Sequence, residues 1–393
     1  MLSTNLQKQN DFTGQDFYMG LDVHKHSWCV TIRSLKIEVG HFTQVPDAAA
    51  LHQYLQRNFP GGSYHSAYEA GFCGTGSHEQ LCKLGIDNII VHAADVPTTD
   101  KQKKSKTDQR DSRALADHLE RGNLHGIYVF SQEQQELRSL FRLRECRSKD
   151  TTRANNRLKS FLMYYGISIP ESVSKRGDLT GRALAWLDME MQSAAGTIVL
   201  QQYVAELKYQ RKQLFELTKT LRKQVMAYDG QTYMNIITIP GVGSITAMAF
   251  IAEIGDFGRF ADPDQYASLL GLCPWEDTSG DCVVTKGIQP RCNSHLRPLI
   301  IEASWHSIRK SRNLFAYYSK HAVGKNGKKA IVKVARKLAM IIRGVARSGQ
   351  PYQEDYQKKN NNPAQVKAER FSSGITKQHI NKKPDYGQMP MPG

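Results

Sequence analysis

The sequence predicts an α/β domain at the N-terminal end, a long helical region after it, and a mostly helical C-terminal domain. Over about the first 128 residues, β-favouring runs alternate with a helical segment, a pattern typical of a layered α/β domain. Leucines recur at every seventh position from Leu200 to Leu221, as in a coiled coil. We therefore expect five parts: an N-terminal extension (1–16), an α/β domain (17–128), a helical coiled-coil region (129–228), a C-terminal domain (229–347) and a flexible tail (348–393).

The elements of the α/β domain follow from short apolar runs and their breaks. Between Phe17 and Ile32, two β-favouring runs flank His24-Lys25-His26, which predicts a hairpin. Tyr64 to Glu69 and Ile89 to Val91 predict two further strands. Between them, Thr75 to Leu84 predicts a helix that Gly85 ends. The two histidines of the hairpin form an HxH pair, which we expect to be exposed.

The helical region has two apolar patterns. Ser131 to Tyr165 is long and charged, and its apolar stripe is Leu137, Leu140, Phe141 and Leu143. In the second helix, the heptad leucines are joined by Val204 and Val225 on the neighbouring seam. A coiled coil between chains and an amphipathic helix packed within one chain both fit this spacing, so both interpretations stay open.

Four carboxylates are candidates for a functional site, because two lie in predicted strands and two open the same helix. Asp22 interrupts the apolar run Met19 to Val23, and Glu69 ends a predicted strand; a buried carboxylate needs a partner or a metal. Asp108 and Asp111 open a helix and, three residues apart, share one of its faces. Singly, each has a structural explanation such as a helix N-cap. Together they could bind Mg²⁺ or Mn²⁺ for phosphoryl transfer.

Charge and composition indicate a polyanionic partner. The chain has 53 Lys and Arg against 37 Asp and Glu, a net charge of +16, which favours nucleic acid. Its seven cysteines include no CxxC pair, as expected in a reducing compartment without a zinc site. No apolar run is long enough for a membrane helix, and the polar N-terminus has no secretory signal pattern. We therefore expect a cytoplasmic, nucleoid-associated protein.

Three sequence blocks resemble a known family. GLDVHK around Asp22, YEAG around Glu69, and KTDQRDSRALA around Asp108 and Asp111 are similar to the DEDD motif blocks of the insertion-sequence family one-ten transposases, which the pilin-inversion (Piv-like) recombinases share. The resemblance covers roughly residues 17–310. It implies a RuvC-like, ribonuclease-H-type N-terminal domain in which these four acids bind Mg²⁺ or Mn²⁺, and a C-terminal transposase domain.

The resemblance continues into the C-terminal domain. Ile239 to Gly243 resembles the turn of a helix-hairpin-helix element. A tight turn needed only for packing would have the same sequence pattern. The family's serine nucleophile follows the proline that matches Pro274, which implies Ser279, with Thr278 as the alternative in register. The family picture places the acids against the serine, from the same or another subunit. Downstream, Gly287 to Asn293 departs from the family pattern Gly-Ile-Thr-Lys-x-Gly-Asn.

Basic residues are the candidates for nucleic-acid contact. We assign them to Lys104, Lys106, Arg110, Arg144, Arg297, Lys329 and Lys333. Such residues are as often solvated surface charges, and phosphate contacts carry no sequence information. The sequence has neither a recognition helix nor a zinc finger. This fits the family mechanism, in which a bridge RNA pairs with donor and target DNA and the protein reads backbone and shape.

The sequence is therefore interpreted as a DNA transposase and recombinase. The resemblance implies that Ser279 attacks a DNA phosphodiester and that a free 3′-hydroxyl then attacks the phosphoserine, so that joining requires no ATP. No GxxxxGK[ST] loop is present. We expect a dimer or tetramer through the coiled coil, since two active sites must act together. The alternatives are a RuvC-like nuclease or resolvase that uses water, and an inactive nucleic-acid-binding remnant.

Overall fold

The computed structural model of the 393-residue chain describes residues 11–97, 108–187, 193–279, 282–323 and 327–354. Within these ranges, the side chains of residues 108, 276–279 and 282–286 are not described. The chain divides into two compact units, residues 1–130 and 131–393. Most of the expected tail lies outside the described residues.

Unit one is built on a five-stranded sheet. Its strands in chain order are β1 (Asp16–Val23), β2 (Trp28–Ser34), β3 (Ile37–Gln44), β4 (Ser63–Glu69) and β5 (Asp87–Val91). The spatial order is β3-β2-β1-β4-β5. β1, β2 and β3 form an antiparallel meander, whereas β4 and β5 run parallel to β1. The predicted hairpin at His24 to His26 is confirmed.

The edge strand β3 is absent from the sequence prediction. It follows β2 through a two-residue turn in which Leu35 and Lys36 both have positive φ, 52° and 65°. Such turns usually carry Asn-Gly or Asp-Gly, so this one has no recognisable sequence signal. Ile37 and Val39 alternate with Glu38 and Gly40 but are exposed, so this alternation does not mark a face buried in the core.

Helices cover both faces of this sheet. They are α1 (Ala48–Asn58), α2 (Gly76–Lys83) and α3 (Asp108–Glu120). One face packs Met19, Leu21 and Tyr68 against residues of α1 and α2. On the opposite face, Ala67 packs against Leu115 of α3. Within the described residues, this is a mixed α/β domain in which α3 packs on the second face.

Unit two is mostly helical. Its helices are α4 (Gln132–Tyr164), α5 (Gly181–Leu187), α6 (Ala194–Ile236), α7 (Ser244–Ile254), α8 (Pro263–Leu269), α9 (Leu296–Lys310), α10 (Arg312–Ala322) and α11 (Gly327–Ser348). One two-stranded hairpin, β6 (Pro274–Ser279) with β7 (Cys282–Ile288), lies between α8 and α9. The sequence from Ile237 to Phe260 predicts two short helices joined around Pro240. The second is α7. The first is wrong, because the helix before Pro240 is the end of α6, beyond a kink at Asp229.

The heptad seam of α6 is covered within the chain. Leu200, Val204 and Leu207 pack into one cluster with residues of α4 such as Leu158 and Leu162. This matches the intrachain alternative, because α4 and α6 bury each other's apolar faces. In the α4 stripe, Leu137 and Phe141 are buried, but Leu143 is 47% exposed, so its assignment to the stripe is wrong.

The main core of unit two surrounds α7. Every residue from Thr246 to Ile254 is buried. The helical spacing of apolar residues in α11 predicts a buried face made of Ile331, Val334, Leu338, Ile341, Ile342 and Val345. All of these except Ile341 are buried. Helix α7 is apolar but has only 11 residues. Among the helices in the described ranges, none combines the length and hydropathy needed to cross a membrane.

Candidate active site

Asp22 and Glu69 lie side by side at one edge of the sheet. In the parallel pairing of β1 with β4, Leu21 stands opposite Tyr68, so the next residues along the two strands, Asp22 and Glu69, are also neighbours. Leu21 and Tyr68 point into the α1/α2 core, and successive side chains of a strand alternate between faces. The two carboxylates therefore project from the opposite face, the one that α3 covers.

Helix α3 runs antiparallel to β1, and this brings its first turn to Asp22. Near its start, Ser112 contacts Cys29, the cross-strand partner of Asp22. At its end, Glu120 accepts a hydrogen bond from Arg33, the cross-strand partner of Tyr18. Asp108 and Asp111 thus begin the helix at the same end of β1 as Asp22. Asp111 is half-buried, and the side chain of Asp108 lies outside the described residues.

A glycine permits this close packing. A Cβ atom at Gly20 would lie 1.9 Å from the backbone oxygen of Ser112 and 2.5 Å from the backbone nitrogen of Ala116. No side chain fits at those distances, so Gly20 lets α3 rest directly on β1. Gly20 precedes Asp22 by two residues and shares its face. The glycine of the GLDVHK block is therefore needed for the close packing of α3 on β1, which the sequence spacing did not indicate.

His24 contacts the first acid. Its Nε2 atom lies 3.2 Å from Oδ2 of Asp22, and the Asp22 side chain is 20% exposed. His24 and His26 are both exposed, as expected, but the contact of His24 with Asp22 was not predicted. The sequence could have indicated this contact, because side chains two residues apart in a strand lie on the same face.

The donor set suits a hard cation. Carboxylate oxygens are the preferred ligands of Mg²⁺ and Mn²⁺. Among the side chains that the structure describes, no three His, Cys, Asp or Glu residues form a group able to hold a metal ion. Asp22, Glu69 and Asp111 are all described, so these three do not form such a group in this structure, and the side chain of Asp108 lies outside the described residues.

The candidate nucleophile lies at the end of a hairpin strand in unit two. Ser279 is the last residue of β6 and pairs with Cys282, and Thr278 pairs with Val283. Ser279 is therefore next to the turn of the hairpin. The side chains of Thr278 and Ser279 lie outside the described residues, so the choice between them stays a prediction.

Two of the predicted phosphate-binding arginines have contacts within the protein. Arg297 donates through Nη1 to the backbone oxygen of Gln289 at 2.7 Å and of Gly271 at 3.4 Å, and so holds the base of the hairpin. Arg144 is half-buried and donates to Thr218 of α6 at 3.4 Å, and burial lowers the pKa of its guanidinium. These bonds give both arginines a structural role.

The remaining basic candidates differ in accessibility. Arg110 on α3 and Lys329 and Lys333 on α11 are exposed. Lys333 has Nζ 3.4 Å from Nδ1 of His321. Lys104 and Lys106 lie outside the described residues.

A buried ionic cluster in unit two had no sequence signal. Glu253 of α7 is fully buried and accepts hydrogen bonds from Arg138 and Arg142 of α4, at 2.9 and 2.6 Å. Asn293 also donates to it at 2.9 Å. The partners are more than 100 and about 40 residues away along the chain. Only the fold brings them together, so spacing could not predict the cluster.

Comparison with known proteins identifies the family. The DEDD transposase model of the IS110 family matches residues 19–167, and the transposase model of the IS116/IS110/IS902 family matches residues 233–319. These segments contain the α3 face with its acids and the β6–β7 hairpin, respectively.

Several curated relatives agree with this match. The protein y4qE of Sinorhizobium fredii is 27% identical over 74% of this chain and 72% of its own. The transposase for insertion sequence element IS1328 of Yersinia enterocolitica is 26% identical over 51% and 59%. The transposase for IS1111A of Coxiella burnetii is 25% identical over 69% and 74%. With both family models matched in chain order, this chain belongs to the IS116/IS110/IS902 family of transposases.

Proposed function

We propose that this transposase cuts and rejoins DNA strands by phosphoryl transfer, using a carboxylate metal site and a hydroxyl nucleophile. The observation that carries the proposal is the in-register placement of Asp22 and Glu69 on adjacent parallel strands, beneath the helix that begins with Asp108. Asp22, Glu69 and the first turn of α3, separated by up to 89 positions in the chain, thereby lie at one edge of one sheet. Structural N-caps or surface acids would have no reason to share that edge.

The N-terminal domain is, in this proposal, of the RuvC-like, ribonuclease-H type. A central strand with an antiparallel hairpin on one side and parallel strands on the other supports it. Asp22, Glu69, Asp108 and Asp111 would hold Mg²⁺ or Mn²⁺. Bound there, the cation would stabilise the charge of a phosphodiester under attack. Gly20 and the packing of α3 keep the acids at the same end of β1.

Ser279 is the proposed nucleophile. Its Oγ atom attacks a DNA phosphorus and loses its proton, and the bond from phosphorus to the 3′-oxygen breaks as that oxygen gains a proton. A 3′-hydroxyl of the exchanged strand then attacks the phosphoserine. It gives up its proton, and the serine oxygen leaves and is protonated again. One phosphoester replaces another at each step, so no ATP is consumed.

The specificity of the reaction is proposed to come from a bridge RNA that pairs with donor and target DNA. The exposed Arg110, Lys329 and Lys333 suit backbone contacts, which give affinity without sequence readout. Two strand exchanges need at least two copies of the chain. Because α4 covers much of the α6 heptad seam, we propose that the copies associate through other surfaces.

A covalent-adduct assay tests the proposal. The purified chain is incubated with Mg²⁺, labelled DNA carrying the element's end, and RNA transcribed from its non-coding flank, and is then run on a denaturing gel. We expect a protein–DNA adduct that Ser279→Ala and Asp22→Asn both abolish. Ser294→Ala is the matched control, since Ser294 is an exposed serine just beyond the hairpin.

The outcomes separate the candidate functions. Adduct formation that survives Ser279→Ala but not Thr278→Ala would move the nucleophile by one residue. Cleavage without any adduct, surviving both changes, would indicate hydrolysis by water and contradict the serine mechanism. Binding without cleavage would indicate an inactive remnant.

A further inference from the structure

The contact between α3 and the sheet includes a buried polar bond that packing does not require. The Ser112 side chain is fully buried. Its Oγ atom lies 2.9 Å from Oγ1 of Thr31, which is also fully buried, and 3.5 Å from Sγ of Cys29. Thr31 stands opposite Gly20 in the β1–β2 ladder. The bond therefore lies beside the point where α3 comes closest to the sheet.

The hydroxyls belong to a chain of hydrogen bonds. The backbone oxygen of Gln109 lies 3.2 Å from Oγ of Ser112 and accepts from it. Either hydroxyl can be the donor in the bond between Thr31 and Ser112. Nδ1 of His41 lies 2.9 Å from Oγ1 of Thr31, and the tautomer of the histidine sets the direction of that bond. Both buried hydroxyls therefore have partners, as buried polar groups require.

The chain of bonds ends between the two acids of α3. Gln109, whose oxygen accepts the last bond, directly follows Asp108, and Ser112 directly follows Asp111. A slip of one residue along a helix moves a side chain by about 1.5 Å and turns it by about 100°. Gly20 allows α3 to approach but does not fix its rotation, because a smooth contact tolerates sliding. A directional bond at Ser112 does fix it.

We propose that Thr31 and Ser112 are positioning residues that set the rotation of α3 and thereby aim Asp111 at the proposed metal site. This inference rests on the proposed function, in which Asp111 is one of the acids that bind the cation. Neither hydroxyl has to touch the metal or the DNA. Their loss would leave the four acids present but Asp111 displaced, which lowers cation affinity more than it lowers stability.

Manganese binding to the full chain tests the inference. The free Mn²⁺ signal in electron paramagnetic resonance is followed during titration of wild type, Thr31→Val, Thr31→Ser and Ser112→Ala. We expect Thr31→Val and Ser112→Ala to weaken binding by about tenfold, the lower end of the effect of removing outer-sphere support. Thr31→Ser keeps the hydroxyl and should bind as wild type does. Ser139→Ala is the control, since Ser139 is an exposed helical serine.

Two results would contradict the proposed positioning role of Thr31 and Ser112. If Thr31→Val lowers the melting temperature but binds Mn²⁺ with wild-type affinity, the bond serves packing alone. If Thr31→Ser loses affinity as Thr31→Val does, the hydroxyl is not the cause. If the proposed metal site itself is wrong, wild type binds no more Mn²⁺ than Asp22→Asn does. That result would contradict both the metal site and the positioning role.

Discussion

At the scale of single residues, Glu253 is a carboxylate buried within unit two. Burial alone would raise the pKa of its carboxyl, but hydrogen bonds from Arg142 and Asn293 and the charge of Arg138 outweigh it and lower that pKa. The two guanidinium groups keep part of their surface in water. The carboxylate is thus the one partner that cannot return to solvent, and it joins α4, α7 and the segment before α9.

Replacing this carboxylate with an amide should destabilise unit two. Glu253→Gln leaves two arginines facing a neutral group, and breaking a buried pair in this way costs about 3 kcal/mol. Urea unfolding at pH 7 measures the loss. Glu216→Gln, on the exposed face of α6, should change stability by less than about 0.5 kcal/mol.

Wild type and Glu253→Gln also test how the stability contributed by Glu253 depends on pH. A carboxyl whose pKa is lowered by folding stabilises the protein above its unfolded pKa, near 4.3, and this stabilisation is lost as the pH falls through the folded pKa. The stability difference between wild type and Glu253→Gln should therefore be constant near neutral pH and shrink below about pH 4. A difference that stays constant down to pH 3 would contradict a charged Glu253.

At the scale of elements, the turn between α6 and α7 illustrates what a glycine-rich motif does in this fold. Gly241 has φ of 88°, and a Cβ there would lie 2.4 Å from the backbone nitrogen of Ser307 in α9. Gly243 has open space around it. The first glycine is thus explained by packing, the alternative to a phosphate-binding turn, while the second stays accessible before the N-terminus of α7.

Alanine at these two glycines should have unequal effects. Gly241→Ala adds a strained left-handed backbone and a steric clash, together about 3 kcal/mol or more. Gly243→Ala loses only a favourable N-cap residue, up to about 1 kcal/mol. Thermal unfolding of both variants measures the difference. Equal losses would mean that α9 moves aside and that Gly241 is not needed for packing.

The elements also show how far a sequence can predict this structure. The β1–β2 hairpin, β4, β5, α4 and the amphipathic α11 follow from local periodicity and breaks, so they could be predicted. β3 could not, because its turn lacks the usual residues and its apolar side chains are exposed. The acids were found by resemblance and by their strand positions, whereas Thr31, Ser112 and Glu253 depend on contacts between distant segments that no spacing encodes.

At the scale of the whole molecule, positive charge is unevenly distributed along the chain. From residue 303 to residue 353 the sequence has no Asp or Glu, and it includes Lys328, Lys329 and Lys333, which are exposed on α11. Other basic residues of this segment have partners within the protein: Arg343 donates to the backbone oxygen of Phe260, and Arg336 pairs with Asp264. Lys329 and Lys333 are exposed and lie one turn apart on α11, and Lys333 contacts another basic side chain, His321; both are candidates for backbone phosphates.

Removing these two lysines should change how nucleic-acid binding responds to salt. Each phosphate contact adds about 0.9 to the slope of log K against log salt for duplex DNA, so Lys329→Ala/Lys333→Ala should lower the slope by about 2. The double variant Lys212→Ala/Lys219→Ala removes the same charge from exposed positions on α6 and should leave the slope nearly unchanged. Fluorescence anisotropy with a random-sequence duplex at several salt concentrations measures both. If the two double variants lower the slope equally, net charge governs binding and α11 is not a specific interface. If only the α11 pair does so, its exposed basic face contacts the backbone directly.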